Sequence, residues 1–163
     1  ELRCGERSRT VALDEFYLSY RKTALARGEF VSSVRIPRRT GAERLSGWKV
    51  SKRIDQDISA VCAAVWLCER EGVVSDVRMG FGGMAAIPAR ARHAEQALRG
   101  RALSAPSVAA AGAALARDFS PLSDMRASAE YRLRVAANLL ERLLHERQQL
   151  YPMRIGQVSA ESV

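Results

Sequence analysis

Lysine is nearly missing from this chain: of 26 cationic side chains in 163 residues only three are lysine, set against 18 carboxylates. The resulting net charge of +8 would suit a polyanion, because clustered cations release counterions from phosphate. The arginines are scattered from Arg3 to Arg154, however, with Arg38-Arg39 a typical cluster, and aromatic residues make up only 6%. That is too few for a base-stacking platform, so no nucleic-acid partner is expected. Histidine is almost as scarce: His93 and His145 lie far apart in sequence, which leaves no catalytic triad to assemble and no zinc spacing. Three cysteines cannot make a disulfide framework. Cys62 and Cys68 share strand parity but lie about 20 Å apart on an extended chain, beyond disulfide reach. Reduced thiols and a cytoplasmic location are therefore expected, with no metal site. No apolar run reaches the ~18 residues of a membrane span, and no signal peptide is seen. The chain opens at Glu1 without an initiator methionine and is read as a piece of a longer polypeptide.

What is present is a change of period near the middle. "RTVAL" reads as a strand, with Asp14 capping a helical turn after it, and "EFVSSVRIP" alternates Phe30, Ser32, Val34 and Ile36 up to Pro37. The polar "RRTGAERLSG" that follows is a boundary between two units. A strand then resumes at Gly47, breaks at "SKRIDQD", and continues as "ISAVCAAVWLCER", where both faces look apolar and so both are expected to be covered. Glu71-Gly72 turns the chain into a further strand with Val73, Val77, Met79 and Phe81. The second half is helical. Pro88 is placed in the first turn of "ARARHAEQALRG", Ser104 caps "APSVAAAGAALARDF", and a long helix from about Ala127 to Tyr151 carries Tyr131, Val135, Leu139 and Leu143, with Ala136, Leu140 and Leu144 beside them, on a broad apolar stripe. Strands followed by helices make an α+β fold: an antiparallel sheet of three or four strands packed against three helices.

Two local patterns carry chemistry. "GFGGMA" fits a dinucleotide-binding glycine fingerprint, but Ile87-Pro88 stands where the helix should open and no acidic residue follows a second parallel strand, so it is read as a glycine turn at a strand end. The other is "GWKVSKRIDQDIS", which places two of the rare lysines, Lys49 and Lys52, beside Trp48 and ahead of Asp55 and Asp57. As a solvated connection it would have no role. As a site, it would present Lys49 as a fixed charge to an electron-rich ligand, and an ammonium about 4 Å from an anion contributes on the order of 4 kcal/mol at an effective dielectric of about 20.

Five blocks in order, "LDEFYLSYRKTAL", "GEFVSSVRIP", "KVSKRIDQDISAV", "GFGGMA" and "EYRLRVAANLLERLL", closely resemble the flavin subunit of xanthine dehydrogenase, from about Thr10 to about Glu146. The resemblance implies a molybdenum hydroxylase that passes electrons through [2Fe-2S] clusters to FAD and on to NAD+, with molybdopterin and the clusters on other parts of the enzyme. It implies purine or related heterocycles as substrates, and as partners the rest of the FAD/iron-sulfur subunit and a molybdenum-binding subunit. It further implies that residues 1–37 are the tail of an FAD-binding domain, that 43–150 form a domain like the C-terminal domain of CO dehydrogenase flavoproteins, and that 151–163 are a frayed tail. By the same resemblance FAD is held partly by Lys49 and Val31, and a flavin-edge loop comprises Trp48, Ser51, Asp55, Gln56 and Asp57. The isolated chain, lacking the family's glycine-rich pyrophosphate cradle, is expected to be inactive. The alternative is a basic nucleic-acid-binding or structural module without flavin.

Overall fold

The computed structural model describes residues 1–38, 41, 43–53 and 57–148. In chain order its elements are strands β1 (Leu2–Cys4) and β2 (Arg7–Arg9), a short helix α1 (Leu13–Phe16), strands β3 (Tyr17–Ser19), β4 (Lys22–Thr23) and β5 (Phe30–Val31), then β6 (Glu43–Val50), β7 (Val61–Arg70), β8 (Val73–Gly82) and β9 (Ala89–Arg90), and helices α2 (Arg92–Leu98), α3 (Ala105–Asp118) and α4 (Ala129–Gln148). The expected α+β layout is present. A four-stranded antiparallel sheet in the order β6-β7-β8-β9 carries the helical layer on one face. None of the helices is long and apolar enough to cross a membrane among the described residues.

The inward face is built by strict alternation. Val61, Ala63, Val65 and Leu67 of β7 and Val77, Met79 and Phe81 of β8 are all essentially inaccessible, and they meet Leu98, Val108, Leu115, Ala136, Leu140 and Leu144 from the helices. Phe81 stacks edge-on against Phe119, with ring centroids 5.4 Å apart. At the β7–β8 hairpin, Glu71 and Gly72 both take positive φ, the geometry of a two-residue turn that matches strand twist. A register shift after Cys68 then puts Val74 rather than Val73 into the core. Ser104 caps α3 as expected, exchanging hydrogen bonds with Ser107.

Several local expectations are corrected. The first strands are Leu2–Cys4 and Arg7–Arg9, turned at Gly5, and not residues 9–13; Asp14 lies inside α1, whose N-cap is Ala12. The alternating run to Pro37 is strand only at Phe30–Val31, which pairs with β1; Val34 and Ile36 stay exposed because no described strand pairs with them. Residues 43–46, read as a boundary, belong to β6 because Glu43 through Ser46 pair with Cys68 through Val65. Pro88 precedes the short strand β9, not a helix. Nor is the second face of β7 covered along its length: Cys62 and Ala64 are exposed and Trp66 is half-buried. On α4 the buried stripe runs through Arg132, Ala136, Leu139, Leu140 and Leu143, leaving Tyr131 exposed.

Candidate functional site

The uncovered face of the sheet is defined by what its pleat turns away from the helices. In β6 the outward residues are Leu45, Gly47 and Lys49, and their partners across β7 are Trp66, Ala64 and Cys62. Those in turn face Arg78, Gly80 and Gly82 of β8. One end of this face is bulky, with the Arg78 guanidinium 5.4 Å above the Trp66 ring. The other end is a floor of small residues, Gly47, Ala64, Gly80, Cys62 and Gly82, from whose edge the exposed Lys49 rises.

The glycines of that floor are not required by the chain's own packing. A Cβ built on Gly80 would meet nothing within 4 Å, and one on Gly82 or Gly47 would make only ordinary contacts at 3.6 and 3.8 Å. All three lack the positive φ that calls for glycine. Glycine inside a strand weakens it, and its usual reason is close approach by something else. The next glycine differs: Gly83 has φ +80, and a Cβ there would fall 2.5 Å from the Ala60 carbonyl oxygen, so the fold itself demands it. The "GFGG" stretch thus contains a structural glycine, as a turn reading expects, beside two, Gly80 and Gly82, that the fold does not require.

Strand pleating separates residues that are adjacent in sequence. Lys49 faces the open side, whereas Trp48 faces the helical layer and donates its indole N–H to Glu146 of α4 at 3.0 Å. Val31 lies in β5 of the N-terminal sheet, opposite Leu2, and is exposed. Ser51 and Asp57 serve the loop's own backbone. Ser51 donates to the Arg53 carbonyl at 2.8 Å, while the Asp57 carboxylate accepts the N–H groups of Arg53 and Ile58 at 3.1 and 2.9 Å. The Arg53 N–H, ahead of the Ile58 N–H and the Arg53 charge, holds the Asp57 carboxyl below its ordinary value. Asp55 and Gln56 lie outside the described residues.

Sequence reasoning missed the residues that anchor this loop. Ala60 N–H donates to the Val50 carbonyl at 2.8 Å and closes the loop at its base. Lys52 Nζ donates to the Met125 carbonyl at 2.6 Å, so the second rare lysine ties the loop to the α3–α4 connection. A cleft of about 440 Å³ opens between them, lined by Ser51, Lys52, Met125, Ser128 and Tyr131 among others. Beneath it, buried Arg132 bonds Asp124. The Arg126 and Ala127 N–H groups, with Arg132 adding to them, hold the Asp124 carboxyl down to about 2. The available signal was an arginine in step with the apolar stripe of α4, four positions before Ala136.

Comparison with known proteins places this geometry. Residues 46–147 match the model of the CO dehydrogenase flavoprotein C-terminal domain. The chain belongs to this family. It is 33% identical over 140 residues to the nicotine 6-hydroxylase medium subunit of Paenarthrobacter nicotinovorans, covering 85% of this chain and 48% of that protein. A xanthine dehydrogenase of Emericella nidulans is 34% identical over 142 residues, covering 83% of this chain and 10% of that much longer protein. The solved structure of reconstituted CO dehydrogenase from Oligotropha carboxidovorans superposes with a TM-score of 0.80 at 31% identity, over 86% of this chain and 49% of its counterpart. The chain thus spans about half the length of the nicotine hydroxylase subunit, and its family is that of the flavoprotein subunits of molybdenum hydroxylases.

Proposed function

We propose that this chain forms one wall of the flavin site in the FAD-binding subunit of a xanthine dehydrogenase-like molybdenum hydroxylase, residues 1–37 belonging to the FAD-binding domain and 43–150 to its C-terminal companion. The observation that carries this reading is Lys49 standing over a glycine floor that internal packing does not require. The residues present fit FAD: a side-chain-poor surface lets a planar ring approach the backbone, and an ammonium suits a ring that gains negative charge on reduction. FAD, when bound, supplies the exchange between one-electron carriers and a two-electron acceptor. Lys49 contributes a charge fixed near the end of β6, and as a compact point charge it needs less room than an arginine fork. The 51–59 loop borders the site and shapes access for NAD+, with [2Fe-2S] clusters and molybdopterin on partner chains. The substrate class is a heterocycle, supported by the names of the relatives, a nicotine 6-hydroxylase subunit and a xanthine dehydrogenase.

The test is Lys49→Met in the complete enzyme, which keeps the stem and removes the charge. The flavin reduction potential should fall, and rapid-mixing spectra should show reduced clusters accumulating ahead of reduced flavin, with the molybdenum half-reaction unchanged. Lys52→Met should leave the potential near that of the parent. If the Lys49 variant matches the parent in both potential and order of reduction, Lys49 is a surface charge and the reading fails.

A further inference from the structure

Arg132 is a cation where the helical stripe calls for a hydrophobe. It is 4% exposed, and its Nε is buried without a partner among the described residues. A buried guanidinium is costly unless its donors are used, and this one makes three bonds, to three separate segments. Nη1 donates to the Ala60 carbonyl at 2.5 Å and to the Gly83 carbonyl at 2.9 Å, while Nη2 donates to Asp124 Oδ1 at 2.6 Å. Ala60 ends the loop that begins after Val50, and Gly83 follows the last glycine of the floor. Asp124 Oδ1 also accepts the N–H groups of Arg126 and Ala127 at 2.8 and 3.1 Å, which shapes the turn whose Met125 carbonyl holds Lys52. One side chain on α4 therefore grips the far end of the loop directly and its near end through the turn.

We propose that Arg132 is a positioning residue for the two described ends of the loop, residues 51–53 and 57–60, fixing them beside the Lys49 site without itself reaching the open face. This rests on the flavin reading for its functional half, since only then does the loop's position govern how an acceptor enters. The spacing is specific to the residue pair involved. Gly83 leaves room for Nη1, and a Cβ there would sit 3.2 Å from that atom and 2.5 Å from the carbonyl it holds. An arginine reaching two carbonyls and a carboxylate at once has a geometry that an ammonium reproduces only in part.

The experiment has two arms. In the first, hydrogen–deuterium exchange is followed by mass spectrometry on the complete FAD-binding subunit, with Arg132→Met, Arg132→Lys and Asp124→Asn compared with the parent. Arg132→Met should speed exchange in peptides spanning 51–60 at least tenfold while the centres of β7 and β8 keep their protection; Arg132→Lys should recover part of it, and Asp124→Asn should give a milder loosening of the same peptides. Asp124→Asn carries the test if Arg132→Met does not fold. Exchange that rises in proportion across the whole sheet, or not at all, overturns the proposal. In the second arm the same variants are placed in the complete enzyme, where KM for NAD+ should rise several-fold with kcat changing less and the flavin potential constant. An unchanged KM with a loosened loop overturns the functional half, and because the flavin assignment is tested separately by the potential of the Lys49→Met variant, that failure is distinct from failure of the flavin assignment.

Discussion

Glu95 is buried under the strand that carries the glycine floor, and its removal gives a sharp measure of how that strand is held. Its carboxylate, on α2, accepts the Met79 N–H at 2.9 Å and two bonds from Arg90, from Nε at 2.9 Å and from Nη2 at 2.6 Å. The side chain of Glu95 is 4% exposed and that of Arg90 28%, so the acid has no recourse to water while the base has some. Glu95→Gln keeps an oxygen for Met79 and Arg90 Nε but turns an amide donor toward Nη2. One charge-assisted bond of about 1.5–3 kcal/mol is lost and two donors are forced together, for a total of about 2–4 kcal/mol. For a domain of this size about 1 kcal/mol moves Tm by roughly 2–4 °C, so the variant should melt about 4–16 °C lower. Glu95→Ala also strands the Met79 N–H and should cost about 3–5 kcal/mol. The assay is urea unfolding with a double-mutant cycle. Glu95→Leu with Arg90→Leu should recover only the part of the loss that comes from the unpaired Arg90 charge, because the Met79 N–H still lacks its acceptor. A Glu95→Gln effect below about 0.5 kcal/mol, with an unchanged m-value, would refute the reasoning.

Two further outcomes are expected. Gly80→Ala should leave the isolated chain as stable or up to about 1 kcal/mol more stable, since its Cβ meets nothing, yet should weaken FAD retention in the complete subunit; equilibrium unfolding and flavin release measure the two sides. On acidification, Asp124 should contribute stability that is full above its ordinary value of 3.8 and is lost as pH falls through about 2, because its carboxyl is depressed in the folded state; Asp124→Asn should flatten that part of the pH–stability curve.

Features that depend on neighbours in sequence were legible from it. The Glu71-Gly72 hairpin needs only two residues at positive φ, the Ser104 cap needs only the first turn of α3, and the α4 stripe of Ala136, Leu139, Leu140 and Leu143 repeats at helical spacing. Features that depend on distant partners were not. Phe30 to Ile36 alternates as a strand should, but pairing stops at Val31. Trp48 and Lys49 look like one constellation, and the pleat sends them to opposite sides of a sheet. Gly80 and Gly82 were read as part of a glycine turn at a strand end, and their place in the floor of an open face shows only once β8 is laid beside β7. Arg132 drew no reading at all, because the carbonyls that hold it come from Ala60 and Gly83, far away in sequence.

The bond from Ala60 N–H to the Val50 carbonyl makes residues 51–59 a cassette clipped shut at its base. Strand pairing resumes at once on either side, Val50 opposite Val61, so changes of length or sequence inside the clip need not disturb the register of the sheet. Doubling the length of a chain connection adds only about 0.6 kcal/mol of closure entropy. Evolution can therefore rewrite the rim of this site while leaving its scaffold untouched, and a graft of the corresponding loop from a relative that uses a different electron acceptor should fold on this chain without compensating changes in β6 or β7.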